Sequence, residues 1–125
     1  MSHDLKPSNT ELVVLKVLWK QGALPMRALH EACFAQLNWS LSSSRTTVQR
    51  MVDKGLLAME RKDGVAHYIP AVEKTRTLAN LTRDFLSRVM ELDRPVSMST
   101  FTGSQLLDDD ELERVRKLLE EDSEP

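Results

Sequence analysis

The sequence predicts a mainly α-helical fold with one small β-hairpin, divided into an N-terminal part (1–72) and a C-terminal part (73–125). Three observations predict it. Apolar residues recur at helical spacing in three short segments before Gly55. A strand-like stretch, LLAMERKDGVAHYIPA, then carries Asp63-Gly64 at its centre, a pair suited to a tight hairpin turn. Beyond it come two amphipathic segments with wide apolar stripes, separated by Pro95 and a polar connector.

The first helix opens at Ser8, which with Glu11 matches a capping box. Leu12, Leu15 and Trp19, flanked by Val14 and Leu18, supply its apolar face, and Gln21-Gly22-Ala23 reads as a turn. Pro25 suits the first turn of a second helix, where its missing donor costs nothing. Met26, Leu29, Cys33 and Leu37 then share one face of that helix. The third segment, SLSSSRTTVQR, has the composition of a linker but the register of a helix. Val48, Met51 and Val52 line one side with Leu41 and Ser44 in frame, Ser40 is the cap, and Gly55 suits a left-handed stop. Ser42, Ser43, Arg45, Thr46, Gln49, Arg50 and Asp53 then face solvent. Three short helices followed by a basic-tipped hairpin is the winged arrangement of the helix-turn-helix motif. In the C-terminal part, Leu78, Leu81, Phe85, Val89 and Leu92 form one stripe, and a last helix begins near Asp108 with Leu112, Val115, Leu118 and Leu119 inward. Two such helices have little else to cover them, so they are expected to pair with the same helices of a second copy.

Bulk properties fit this division. The chain has 125 residues, 41% of them hydrophobic and only 5% aromatic, so its cores must be aliphatic. The net charge of −2 conceals two unlike halves. Residues 1–72 carry nine Lys/Arg against six Asp/Glu, a balance of +3, and residues 73–125 carry eight against thirteen, a balance of −5. Surface fields fade over about 8–10 Å at physiological salt, so a basic face acts independently of a distant acidic tail. No run approaches the length of a membrane span and no signal-peptide pattern opens the chain, so a cytoplasmic protein without membrane insertion is expected. Cys33 is the single cysteine, which excludes an internal disulfide and a cysteine-cluster metal site.

The motifs also resemble a family. LVVLKVLWK (Leu12 to Lys20), Trp39-Ser40, the series Thr46, Arg50, Lys54-Gly55, Leu57, the hairpin end Tyr68 and Pro70, FLSR (85–88) and the acidic-capped last helix occur in its order and spacing. The chain resembles the BlaI/MecI family of bacterial winged-helix repressors along nearly its full length. That resemblance implies a homodimer on a palindromic double-stranded DNA operator, the N-terminal part reading DNA and the C-terminal helices dimerising. It also implies release by cleavage of the C-terminal part, with a membrane-bound sensor metalloprotease as partner. Where the family's cleaved bond joins Asn to Phe, this chain has Thr100-Phe101. The cysteine cluster of copper-sensing relatives is absent. Ser44 stands where the family has an apolar residue, and Leu41-Ser42 where it often has Pro or Lys, so a different operator is expected.

Residue chemistry assigns roles within that frame. A helix entering a major groove about 12 Å wide needs short hydroxyls for close approach and an Arg able to grip guanine. Ser42, Ser43, Arg45, Thr46 and Thr47 are the candidate base readers, against the plainer reading of a solvated face. Arg50, Lys54, Arg61 and Lys62 are the candidate phosphate contacts, with Arg61-Lys62 at the hairpin tip favoured for reach. Leu78, Leu81, Phe85, Val89, Leu112, Val115 and Leu119 are the dimerisation candidates, and Thr100-Phe101 the candidate cleavage point. Trp19 and Trp39 read as core wedges. His30 and Cys33 lie one turn apart, but two ligands do not make a metal site, and Asp108 to Asp110 complement a helix dipole rather than hold calcium. No metal or other cofactor is expected. The chain lacks GxSxG, HExxH and P-loop patterns, which leaves little for an enzyme. The competing functions are a winged-helix protein-interaction module and a ligand-responsive regulator of another winged-helix family.

Overall fold

A computed structural model describes residues 5–92 and 94–122. They form two compact units, Met1–Val72 and Glu73–Pro125. The first contains α1 (Asn9–Gln21), β1 (Leu24–Pro25), α2 (Met26–Cys33), α3 (Leu41–Lys54), β2 (Leu57–Lys62) and β3 (Val65–Pro70). The second contains α4 (Lys74–Arg88) and α5 (Asp109–Asp122), with a 3₁₀ turn at Met98–Thr100 between them.

In the first unit the capping box is formed. Glu11 N donates to Ser8 Oγ at 3.2 Å, and Ser8 N to Glu11 Oε1 at 2.9 Å. Both bonds satisfy donors that a helix start otherwise leaves open. Val14, Leu15 and Leu18 of α1 meet Leu29 and Cys33 of α2 and Val48 and Met51 of α3 in one core, closed by Leu56 and Leu57. Burying each such aliphatic side chain stabilises the fold by about 1.5–3 kcal/mol. Trp19 leans on this core and donates from Nε1 to the Val72 carbonyl at 3.3 Å.

Two local features differ from the periodicity. Leu37 does not continue α2: the helix stops at Cys33, a 3₁₀ turn follows at Ala35–Leu37, and Leu37 is exposed. Phe34 turns inward instead and stacks on Trp39 with ring centroids 4.9 Å apart, so aromatic packing outweighs the helical repeat. The sheet also has three strands, in the order β1-β3-β2, not a lone hairpin. Leu24 pairs with Tyr68 and Pro25 with His67, so Pro25 ends a strand and caps α2. Two residues are too short for an alternation to show in sequence. The β2–β3 turn places Asp63 and Gly64 both at positive φ, the geometry of a type I′ turn.

The second unit builds a core of its own from Ala79, Val96, Phe101, Leu107 and Val115, with Leu78, Leu86, Met98, Leu112 and Leu119 packed against it. This corrects the expectation that the two stripes lack cover within one chain, because the connector folds back and supplies Val96, Phe101 and Leu107. The helix α4 is also shorter than its stripe, ending at Arg88 rather than running to Leu92. Glu91 adopts a left-handed φ of 54°, and Leu92 N donates to the Leu86 carbonyl at 2.9 Å, turning the chain before Pro95.

Candidate nucleic-acid interface

Helix α3 is defined at both ends. Ser40 Oγ accepts from Ser43 N at 3.1 Å at the start. At the finish Gly55, with φ 94°, closes a Schellman motif: Leu56 N donates to Met51 O at 2.9 Å and Gly55 N to Val52 O at 3.1 Å. A side chain at Gly55 would be strained by that φ and would press on Leu5 Cδ1 at 3.3 Å.

One face of α3 is bound to the unit through Ser44, Val48 and Met51, all buried. Ser44 is 0% exposed, and its hydroxyl is satisfied. Its Oγ lies 2.7 Å from His30 Nδ1 and 3.2 Å from the Ser40 carbonyl. A hydroxyl has one proton, so with Ser44 donating to Ser40 O, His30 must donate from Nδ1. Ser44 is thus a hydrogen-bonded link between α2 and the first turn of α3.

The opposite face is exposed at Ser42, Ser43, Arg45, Thr46, Gln49, Arg50 and Asp53. Arg45, Thr46, Gln49, Arg50 and Asp53 line a groove of about 520 Å³, shared with Met26 of α2 and Tyr68 of β3. Of the candidate base readers, Arg45 and Thr46 reach this groove; Ser42 and Ser43 lie exposed in the first turn, and Thr47 is half-buried. Thr46 Oγ1 bonds the Ser42 carbonyl at 3.1 Å, so its hydroxyl proton is already used within the helix.

The candidate phosphate contacts are not equivalent. Arg50 is exposed in the groove. Lys62 is exposed near the hairpin tip, opposite Val65. Arg61 Nη1 donates to the Gly64 carbonyl at 3.1 Å, bracing the wing turn. Lys54 is engaged on the protein itself: its Nζ meets Glu11 Oε1 at 2.9 Å and the Lys6 carbonyl at 3.2 Å. Partial burial pushes the Glu11 carboxyl up, but the bonds from Lys54 and Ser8 outweigh this and hold it below its ordinary value.

In the second unit, the dimerisation candidates also separate. Val115 is 0% exposed, so its role is core filling and its side chain is closed to a partner as the unit is folded. Leu78, Leu112 and Leu119 are half-buried against the same core, and Leu81 is half-buried. Phe85 and Val89 stand 52% and 57% exposed, joined by Met90, which the candidate set omitted. Thr100 is exposed but Phe101 is buried, and Phe101 N donates to Met98 O at 2.9 Å, so the bond between them lies in a tight turn. Glu73 accepts two bonds from Arg114, at 2.9 and 3.1 Å, which with Arg76 lower its carboxyl pKa.

Residues 7–121 match the family model of the penicillinase repressor. The chain belongs to the penicillinase repressor family. The penicillinase repressor of Bacillus licheniformis is 24% identical over 114 residues, covering 91% of this chain and 89% of its own. The methicillin resistance regulatory protein MecI of Staphylococcus aureus (strain N315) is 22% identical over 112 residues, covering 90% of this chain and 91% of its own. Among solved structures, the adhesin competence repressor AdcR of Streptococcus pyogenes aligns with 98% of this chain and 82% of its own, at a TM-score of 0.48 and 21% identity.

As a member of a repressor family with a winged helix-turn-helix, the chain has a groove to which four further side chains belong, Met26, Gln49, Asp53 and Tyr68. Gln49 and Asp53 were legible as solvent-facing, and their spacing from Arg45 by single turns was the available signal. Tyr68 could not be placed there, because its position depends on the pairing of β3 with β1. Among the described residues, no group of three or more His, Cys, Asp or Glu is placed to hold a metal ion. Burial pushes the Cys33 thiol up to about 11, far from a reactive thiolate. No helix among the described residues is long and apolar enough to cross a membrane.

Proposed function

We propose that this penicillinase-repressor family member is a sequence-specific DNA-binding transcriptional repressor that acts as a homodimer on a palindromic operator. The observation that carries this reading is α3, capped at both ends and fixed to the core on one side, with Arg45, Thr46 and Arg50 along its exposed groove. A helix so held can enter a major groove as a rigid body, with Ser42, Ser43, Arg45 and Thr46 towards base edges and Thr47 at the margin. Arg50 and the wing cations Arg61 and Lys62 suit flanking phosphates. Lys54 contributes less directly, since it already neutralises Glu11.

Repression follows from occupancy: two such helices in successive major grooves exclude the transcription machinery. The exposed Phe85, Val89 and Met90 support the dimer, because burying them against a second copy removes apolar surface from water. The working compartment is the cytoplasm, where the operator is. Release follows cleavage at Thr100-Phe101 by a membrane-bound sensor metalloprotease, and the buried Phe101 requires the second unit to open locally first.

Selecting genomic fragments bound by the purified protein tests the reading, with a Thr46→Ala, Arg45→Ala variant as control. The variant should lose the selected site by ten- to a hundred-fold or so while keeping its affinity for random DNA. Equal losses on both would remove the base-reading role, and no salt-sensitive binding to any fragment would remove DNA as the partner.

A further inference from the structure

Gln49 lies one turn after Arg45 and one turn before Asp53, and all three line the α3 groove. Its Nε2 donates to Asp53 Oδ1 at 3.0 Å. A carboxylate accepts and does not donate, so only the nitrogen of the amide can face Asp53. The amide is thereby oriented without help from any ligand. Oε1 stays free to accept, and the second N–H stays free to donate.

An acceptor beside a donor matches one base in particular. Adenine presents its N6 amino group as donor and N7 as acceptor in the major groove, whereas guanine presents two acceptors there, O6 and N7. Against guanine, Oε1 would meet another oxygen. We propose that Gln49 reads an adenine in the major groove and that Asp53 is the positioning residue that presents its amide. The inference rests on the DNA-binding reading above and assigns a base to that same groove.

Asp53 also has an opposite effect that makes its role separable. Its charge lies on a face that otherwise carries Arg45 and Arg50, so it weakens attraction to any phosphate backbone. Removing the carboxylate should raise affinity for random DNA and lower discrimination at one base. A purely structural role of the pair would not move these two quantities in opposite directions.

The test uses the full-length protein and the DNA it selects from a random pool. Each adenine of a half-site is replaced in turn by 7-deazaadenine, which lacks the N7 acceptor. At one position the unaltered protein should lose about tenfold in affinity. Gln49→Ala should show no penalty there, and Asp53→Ala a smaller one together with tighter binding to random DNA. Both side chains are exposed, and random-DNA binding measured in parallel reports an intact helix. If Gln49→Ala retains every adenine penalty, the base assignment fails while the repressor reading stands. If Asp53→Ala keeps the full penalty, the positioning role fails. If the pool yields no bound DNA, both readings fall together.

Discussion

At the scale of single residues, the site depends on which side chains are already occupied. Ser44 is the clearest case, because a buried hydroxyl in an otherwise apolar face is tolerated only when its bonds are made. Here it joins His30 to the Ser40 carbonyl. Ser44→Ala should destabilise the first unit by about 1–3 kcal/mol by leaving His30 Nδ1 without its partner. His30→Asn, whose amide nitrogen can replace the Nδ1 donor, should cost less than His30→Leu. Thermal melts of the three variants would show it, and equal melting of all three would mean that the link contributes nothing. The same logic separates two lysines of like charge. Lys62→Ala should lower the slope of log affinity against log salt by about 0.9, the value of one phosphate contact. Lys54→Ala should change that slope much less, because its charge is neutralised by Glu11 before DNA arrives. Titrations at several salt concentrations would distinguish them, and equal slopes would place Lys54 on the DNA after all.

At the scale of elements, α3 is set by its ends rather than by intrinsic helix preference. Serines and threonines compete with the backbone for hydrogen bonds and are indifferent formers of helix interiors. The Ser40 cap and the Gly55 Schellman stop offset this, and the buried Val48 and Met51 hold the register. Gly55→Ala should therefore cost about 1–2 kcal/mol, since a Cβ is disfavoured at a left-handed φ. It should weaken DNA binding in proportion to lost folding, with the choice of site unchanged. A denaturant melt paired with a binding titration checks this, and an unaltered midpoint would contradict it. The wing follows a similar rule: Asp63 and Gly64 both take positive φ, and the Arg61 bond to Gly64 closes the tip.

At the scale of the whole molecule, the chain builds two cores and leaves a further set of apolar residues exposed, among them the strip of Phe85, Val89 and Met90 at the end of α4. Val115 belongs to the core of the second unit and Phe85 to the strip. Their substitutions should have opposite signatures. Val115→Ala should lower the melting temperature through a core loss of about 1.5–3 kcal/mol and leave the oligomeric state as it was. Phe85→Glu should shift a dimer towards monomers, because it places a charge in the strip a partner would cover. Sedimentation and thermal melts on both variants separate these outcomes. A dimer unaffected by Phe85→Glu would move the interface elsewhere.

Much of this was legible in the amino-acid order alone. The capping box at Ser8 and Glu11, the Asp63-Gly64 turn, the Gly55 stop and the 3.6-residue register of α3 are local, because each depends on residues a few positions apart. The exposed face of α3, including Arg45, Thr46 and Arg50, follows from that register directly. What only the tertiary structure decided involves partners far along the chain. The pairing of Leu24 with Tyr68, the hold of Glu11 on Lys54 and the folding-back of Phe101 onto Val115 each join segments with no shared periodicity. SLSSSRTTVQR shows both sides of the division. Its order determined that small polar side chains would cover an outward helical face. The same register put Ser44 on the inward side; packing decided that its partner is His30, and the pairing of β3 with β1 decided that Tyr68 lines the groove with Gln49, because these arrangements exist only once distant elements meet.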